Sequence, residues 1–203
     1  RFDAISVRDN NSYSIVEELC GVKSNLNLDP VLVSGIENEP WIEANIENFI
    51  IVYGYAGRFA EEEKQAIVEF AHKNKLKTIS LCDYQDFCDQ HIVCRPDEIL
   101  GYFKKANYIV TDTFHGTIFS VIFHKQFGTF CRPKSNTGST NQEKLLDLLH
   151  RLQLENQLIK DVRNLETNLT SEIDYESVDL IREQEKAKSI NYLRANISIP
   201  KER

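Results

Sequence analysis

The chain has 203 residues, is 41% hydrophobic and 27% charged, and carries a formal net charge of −7. This is the make-up of one globular domain, alone or with part of a second, and it excludes an intrinsically disordered chain. Acid and base are scattered rather than blocked, which excludes the basic face of a dedicated nucleic-acid binder but leaves room for a small anion held by a few local donors.

In chain order, residues 4–7 have the pattern of a short buried strand. Ile15, Val16 and Leu19 then mark one face of a helix that starts near Asn11 or Ser12 and stops at Gly21. Residues 22–47 read as mostly irregular, with Asp29-Pro30 as a turn. A regular alternation follows. Residues 49–53 read as a buried strand, 54–57 as a flexible turn, and 61–74 as a helix whose acidic first turn suits the helix dipole. Residues 78–82 are the next strand, with a short one at 91–93. Pro96 opens a helix carrying Ile99, Leu100 and Phe103. A strand at 108–111, an apolar and therefore buried helix over 115–124 and a last strand at 127–131 come next. A leucine-rich helix over 141–153 closes the unit. Residues 160–172 read as a polar connection to a long charged helix, 174–195, docked on the domain or its partner. Strands alternating with helices imply an α/β fold, a doubly wound, mainly parallel, Rossmann-like sheet.

No apolar run approaches the roughly 20 residues that span a bilayer, so neither a membrane span nor a signal peptide is expected. Arg1 opens the chain and Met is absent, the marks of a fragment or processed chain whose natural beginning lies upstream. The five cysteines are an odd number without a tight pairing motif and read as reduced thiols of a cytoplasmic protein. Cys82, Cys88 and Cys94 lack the short spacing typical of zinc sites, and no metal is expected. Trp41 reads as a packing residue or as a sugar-stacking wall of a cleft.

In an open parallel sheet, ligands sit beyond the carboxyl ends of the strands. Thr111-Asp112-Thr113-Phe114-His115-Gly116 falls at such an end, directly before a buried helix. Thr113 can cap that helix, Gly116 permits close approach to the backbone, and the first-turn N–H groups offer an anion site. His115 can donate to an anion or move a proton. On the plainer reading, Asp112 and Thr113 only cap the helix and His115 makes one internal hydrogen bond. Arg132 and Lys134, after the next strand, suit a phosphate or carboxylate, or else sit in a solvated loop.

Together these pieces resemble the polysaccharide pyruvyl transferase family. "ISVRDNNSYSIVEELCG" (5–21) and "LNLDPVLV" (26–33) are similar to its segment before the C-terminal domain, and "ANYIVTDTFHGTIFSVIFHKQF" (106–127) to its signature strand-turn-helix. "STNQEKLLDLLHRLQLENQLI" (139–159) and "IDYESVDLIREQEKAKSINYLR" (173–194) are similar to its C-terminal helices, so the resemblance reaches into the C-terminal part of the chain. It implies the C-terminal half of a GT-B-like fold of two Rossmann-like domains facing a cleft. Residues 1–47 would be the tail of the N-terminal domain and linker, 48–160 the Rossmann-like C-terminal domain, and 161–203 a polar connection and C-terminal helix.

The resemblance also implies transfer of pyruvate from phosphoenolpyruvate to two hydroxyls of one sugar, as a cyclic ketal, in exopolysaccharide or cell-surface glycan biosynthesis. Phosphoenolpyruvate would be a co-substrate, with no resident cofactor. The acceptor would be a glycan or lipid-linked sugar, which brings membrane proximity. The chain's own N-terminal domain would be the further partner, without which the fragment would be inactive. His115 and Asp112 are the catalytic candidates. Thr113, Phe114, Gly116, Thr117, Arg132, Lys134, Arg58, Tyr53 and Arg8 are the candidates for donor or anion binding. Some members carry an arginine where Thr113 stands, and another at the end of the domain's first strand, where this chain reads Val52-Tyr53-Gly54-Tyr55; Arg58 could substitute. The alternatives are a GT-B glycosyltransferase using a nucleotide sugar, with Asp83 or Asp86 for the ribose, and a non-catalytic glycan- or anion-binding domain.

Overall fold

A computed structural model describes residues 2–38, 40–81, 83–132 and 142–197. Its centre is a six-stranded sheet of β3 (Phe49–Tyr53), β4 (Lys77–Leu81), β5 (Gln90–Ile92), β6 (Tyr108–Thr111), β7 (Gln126–Phe130) and β8 (Leu158–Ile159). The order is β5-β4-β3-β6-β7-β8, and every pairing is parallel. Parallel strands are covered on both faces and so carry unbroken apolar runs, as Phe49–Tyr53 does. Phe49, Ile51, Ile79 and Ile109 point into one core and Ile50, Val52 and Val110 into the other.

The second core is closed by α3 (Glu61–Lys73) through Ile67 and Phe70, and by α7 (Leu165–Thr170) through Leu165 and Leu169. The first is closed by α4 (Pro96–Lys105), α5 (Phe114–Ile122), α6 (Gln142–Arg151) and the start of α8 (Tyr175–Asn196). Ahead of the sheet, β1 (Ser6–Val7) pairs in parallel with β2 (Asn25–Leu26) across α1 (Asn10–Cys20), and α2 (Pro30–Ser34) lays Leu32 on the first core. Arg151 ties this segment down. Its Nη1 donates to the carbonyls of Arg8 and Asn27 at 3.1 and 3.3 Å, and its Nη2 to Glu185 of α8 at 2.6 Å.

Three expectations need correction. Residues 22–47 hold β2 and α2, because Asp29 accepts from Val31 N at 3.0 Å and Pro30 occupies the first helical position; proline fits a helix start as well as a turn. β7 is not the last strand, since β8 adds to its outer edge. The connection over 160–172 contains α7, which buries Leu165 and Leu169. Trp41 packs edge-on against Phe123, 6.3 Å between centroids, with Lys104 Nζ 3.9 Å from its ring centre. Phe123 lies just before β7, at the amino ends of the strands, so Trp41 is remote from the carboxyl-end turn. Among the described residues, no helix is long and apolar enough to cross a membrane.

Candidate functional site

The strand order reverses direction between β3 and β6, the place where open α/β sheets open a crevice at their carboxyl ends. A cavity of about 280 Å³ lies there, lined by Tyr53, Tyr55, Leu81, Asp83, Thr113 and His115. The turn from β6 into α5 is built by hydroxyls. Thr111 Oγ1 donates to Tyr53 O at 2.6 Å and accepts from Thr113 N at 3.0 Å, while Thr113 Oγ1 caps α5 by accepting from Gly116 N at 2.9 Å. Thr117 Oγ1 donates to Thr113 O, at 3.1 Å, or to Thr129 Oγ1, also at 3.1 Å. A Cβ on Gly116 would stand 2.2 Å from Thr111 Oγ1, so the glycine makes room for the turn's own hydroxyl rather than for a ligand.

These bonds sort the expected ligand contacts. Thr117 is fully buried with its hydroxyl committed internally, and Phe114 is 4% exposed in the first core, so neither reaches a donor. Thr113 lines the cavity, but its side chain serves the cap. The N–H groups of Phe114 and His115, at the positive end of α5, have no partner among the described residues. His115 is exposed enough to line the cavity, and burial holds its pKa below the usual value. Arg8 and Lys144 push the same way, against the opposing charge of Asp29. The imidazole is therefore neutral near pH 7, with one N–H to donate.

Asp112 is placed differently from its neighbours. Its side chain has no exposed surface, and its Oδ2 accepts from Arg132 Nε at 3.3 Å and lies 3.8 Å from Arg58 Nη1. Its Oδ1 packs on Gly54, where a Cβ would come within 2.8 Å. Burial raises its pKa, and the two guanidiniums only partly offset that. The carboxyl holds Arg132 by a hydrogen bond and Arg58 more loosely by charge.

Arg132 is further engaged by Glu63, with Nη1–Oε1 at 2.7 Å and Nη2–Oε2 at 2.9 Å, so the expected phosphate ligand is a structural clamp between α3 and β6. Glu63 also accepts from Ala60 N at the start of α3, a local bond, whereas nothing local in the sequence announces its pairing with Arg132. Arg58 is the looser partner, 39% exposed, with its guanidinium 4.5 Å from the Tyr55 ring centre at the cavity rim. Tyr53 lines the cavity and packs edge-on against Phe103. Asp83 also lines it, its carboxylate accepting from Ala56 N and Tyr84 N, and Asp86 pairs with Lys64. Arg8 stands away from this cavity, paired with Asp29 at 2.8 Å and 5.1 Å from the Phe114 ring centre. Lys134 lies outside the described residues. Among the described residues, no group of three or more His, Cys, Asp or Glu converges on a metal position.

A family model described as "Polysaccharide pyruvyl transferase" matches residues 1–130, the N-terminal part of this chain; segments 139–159 and 173–194 lie outside the match. No curated protein matches the sequence. Solved structures similar to it include two glycosyltransferases. One is described as the glycotransferase of kitacinnamycin (TM-score 0.44, 12% identity, 86% of this chain and 48% of that chain covered). The other is the glycosyltransferase SnogD from Streptomyces nogalater (TM-score 0.40, 9% identity, 93% and 61% covered). The chain thus spans about half of the first structure's length and 61% of the second's.

Proposed function

The chain belongs to the polysaccharide pyruvyl transferase family, and on that premise we propose that it transfers pyruvate from phosphoenolpyruvate to a sugar, closing a cyclic ketal on two hydroxyls. The observation that carries the reading is the position of His115. It lies at the mouth of a cavity of about 280 Å³ at the sheet's reversal point, beside the Phe114 and His115 N–H groups, which have no partner among the described residues. That volume suits a compact anion, and donors at a helix start suit its carboxylate.

In the reaction the methylene carbon of the donor gains a proton and becomes the methyl group. One sugar hydroxyl adds to the adjacent carbon, and the second displaces phosphate as it closes the ring. Of the two protons lost by the hydroxyls, one balances the new C–H bond and the other leaves with phosphate. A neutral His115 is suited to hold the carboxylate through its N–H, and the dipole of α5 favours the same charge. Arg58, at the rim, is suited to swing toward the leaving phosphate. The reaction needs no resident cofactor on this reading. A lipid-linked or glycan acceptor would bring the enzyme close to the cytoplasmic face of a membrane, and a preceding domain would supply the facing wall of the cleft.

Calorimetric titration with phosphoenolpyruvate, wild type against His115→Ala, tests the reading. Saturable binding lost in the variant is the expected result. Absence of binding both here and in a longer chain carrying the preceding domain would end it.

A further inference from the structure

A second and larger concavity, of about 760 Å³, lies between the N-terminal segment, α6 and α8. Arg8, Asp9, Asn11, Ser12, Glu143 and Lys144 give it a polar side, and Val33 and Leu193 an apolar one. Two cations meet here over a single ring. The Arg8 guanidinium carbon and Lys144 Nζ each stand 5.1 Å from the Phe114 centroid.

The carboxylates around them are unevenly shared. Arg8 has Asp29 at 2.8 Å. Asp9 is spent on the cap of α1, its two oxygens accepting from Ser12 N at 2.8 Å and Ser12 Oγ at 2.9 Å. Lys144 has neither an ion pair nor a hydrogen bond among the described residues. Burial first, and then the nearby Arg8 charge, hold its amine below the usual pKa, against the opposing charges of Asp9 and Asp29. In a chain of net charge −7, carboxylates are plentiful. A half-buried lysine with no carboxylate at ion-pair distance among the described residues, beside an arginine, keeps a place for an external anion.

The geometry points to a phosphate site for a phosphorylated sugar, with Arg8 as the planar fork and Lys144 as the point charge. The concavity is far larger than a three-carbon phosphate requires, and its apolar side suits the body of a sugar. The Phe114–His115 turn stands between the two concavities, its phenyl ring under the cations and its imidazole in the smaller cavity. A sugar anchored by its phosphate at Lys144 can therefore present hydroxyls toward His115. Only the acceptor role of that sugar rests on the pyruvyl-transfer reading.

The test is titration with a sugar 1-phosphate and, separately, with phosphoenolpyruvate, for wild type, Lys144→Gln and His115→Ala. Lys144 has no ion pair to lose among the described residues, so Lys144→Gln keeps the fold, and a matching melting temperature verifies that. Lys144→Gln is expected to weaken sugar 1-phosphate binding roughly tenfold or more and to leave phosphoenolpyruvate within about twofold. His115→Ala is expected to do the reverse. Sugar 1-phosphate binding that is absent in wild type, or unchanged in Lys144→Gln, overturns the site and leaves the donor reading standing. Equal losses of both ligands in Lys144→Gln assign the cations to the donor and overturn it as well. Sugar phosphate binding that needs Lys144, with no phosphoenolpyruvate binding at all, keeps this site and removes the donor reading.

Discussion

Replacing Gly116 by alanine sets two effects of opposite sign against each other. The residue lies in the first turn of α5, where alanine is favoured over glycine by about 1 kcal/mol in a helix interior. Against that, the new Cβ would stand 2.2 Å from Thr111 Oγ1, 2.9 Å from Thr111 Cβ and 2.8 Å from Thr113 Oγ1. Neither hydroxyl is free to retreat. Thr111 is fully buried and bonded to Tyr53 O and Thr113 N, and Thr113 Oγ1 holds the cap on Gly116 N. Displacing them forfeits two or three hydrogen bonds at about 1 kcal/mol each and adds an overpacking cost of ~1–3 kcal/mol. After the helix gain, the expected net loss is ~2–5 kcal/mol, a large share of a domain's stability. Urea unfolding followed by far-UV circular dichroism reads this as a midpoint lowered by about 1–2 M at unchanged slope. Gly21→Ala is the control. Its φ is 65° with nothing within 4 Å of the added carbon, so its loss is expected to be about 1 kcal/mol. A Gly116→Ala midpoint equal to or above wild type would refute the argument that the hydroxyl network fixes this turn.

Other outcomes follow from the same geometry. His115 is held below its ordinary range by burial first, so between the unfolded value near 6.5 and its folded value only the unfolded chain takes the proton. Stability therefore falls as pH drops below about 6.5, whereas a bound anion raises the imidazole pKa and binds more tightly there. Phosphoenolpyruvate titrations near pH 6 in two buffers of different ionisation enthalpy should register proton uptake; proton release would contradict it. Asp112 is shifted the other way, raised by burial, so its carboxyl favours folding at low pH and loses that as pH rises through its folded value. The melting temperature of wild type should fall relative to Asp112→Asn between pH 4 and 7, and a gap moving in the opposite direction would show the guanidiniums dominating. Burial pushes the Cys88 thiol up to about 12, while Cys20 is exposed. Iodoacetamide at pH 8, followed by mass spectrometry, should label Cys20 in the native protein and Cys88 only after unfolding.

The central strands were legible because each carries its own apolar run, and Thr113 was legible as a cap because the hydroxyl lies three residues before the N–H it bonds. What escaped depends on partners distant along the chain. Asp29-Pro30 fits a turn and a helix start equally well, and the choice is made by the packing of Leu32 on the core. β8 is only Leu158-Ile159, defined by its pairing with Thr129 and Phe130 rather than by any pattern of its own. Arg132 read as an anion ligand because Glu63, which neutralises it, lies 69 positions earlier. Lys144 drew no notice among the leucines of α6. Its meaning comes from Arg8 and Phe114, which only the tertiary fold brings to it.

The sheet tapers at both ends, to three residues in β5 and two in β8. A neighbouring molecule finds almost no free ladder to extend, and the most adhesive segment, Phe49–Tyr53, is sealed between β4 and β6. Fibril-like self-association should therefore follow the population of unfolded chains rather than the concentration of native ones, and it should set in only at temperatures where the centre of the sheet comes apart.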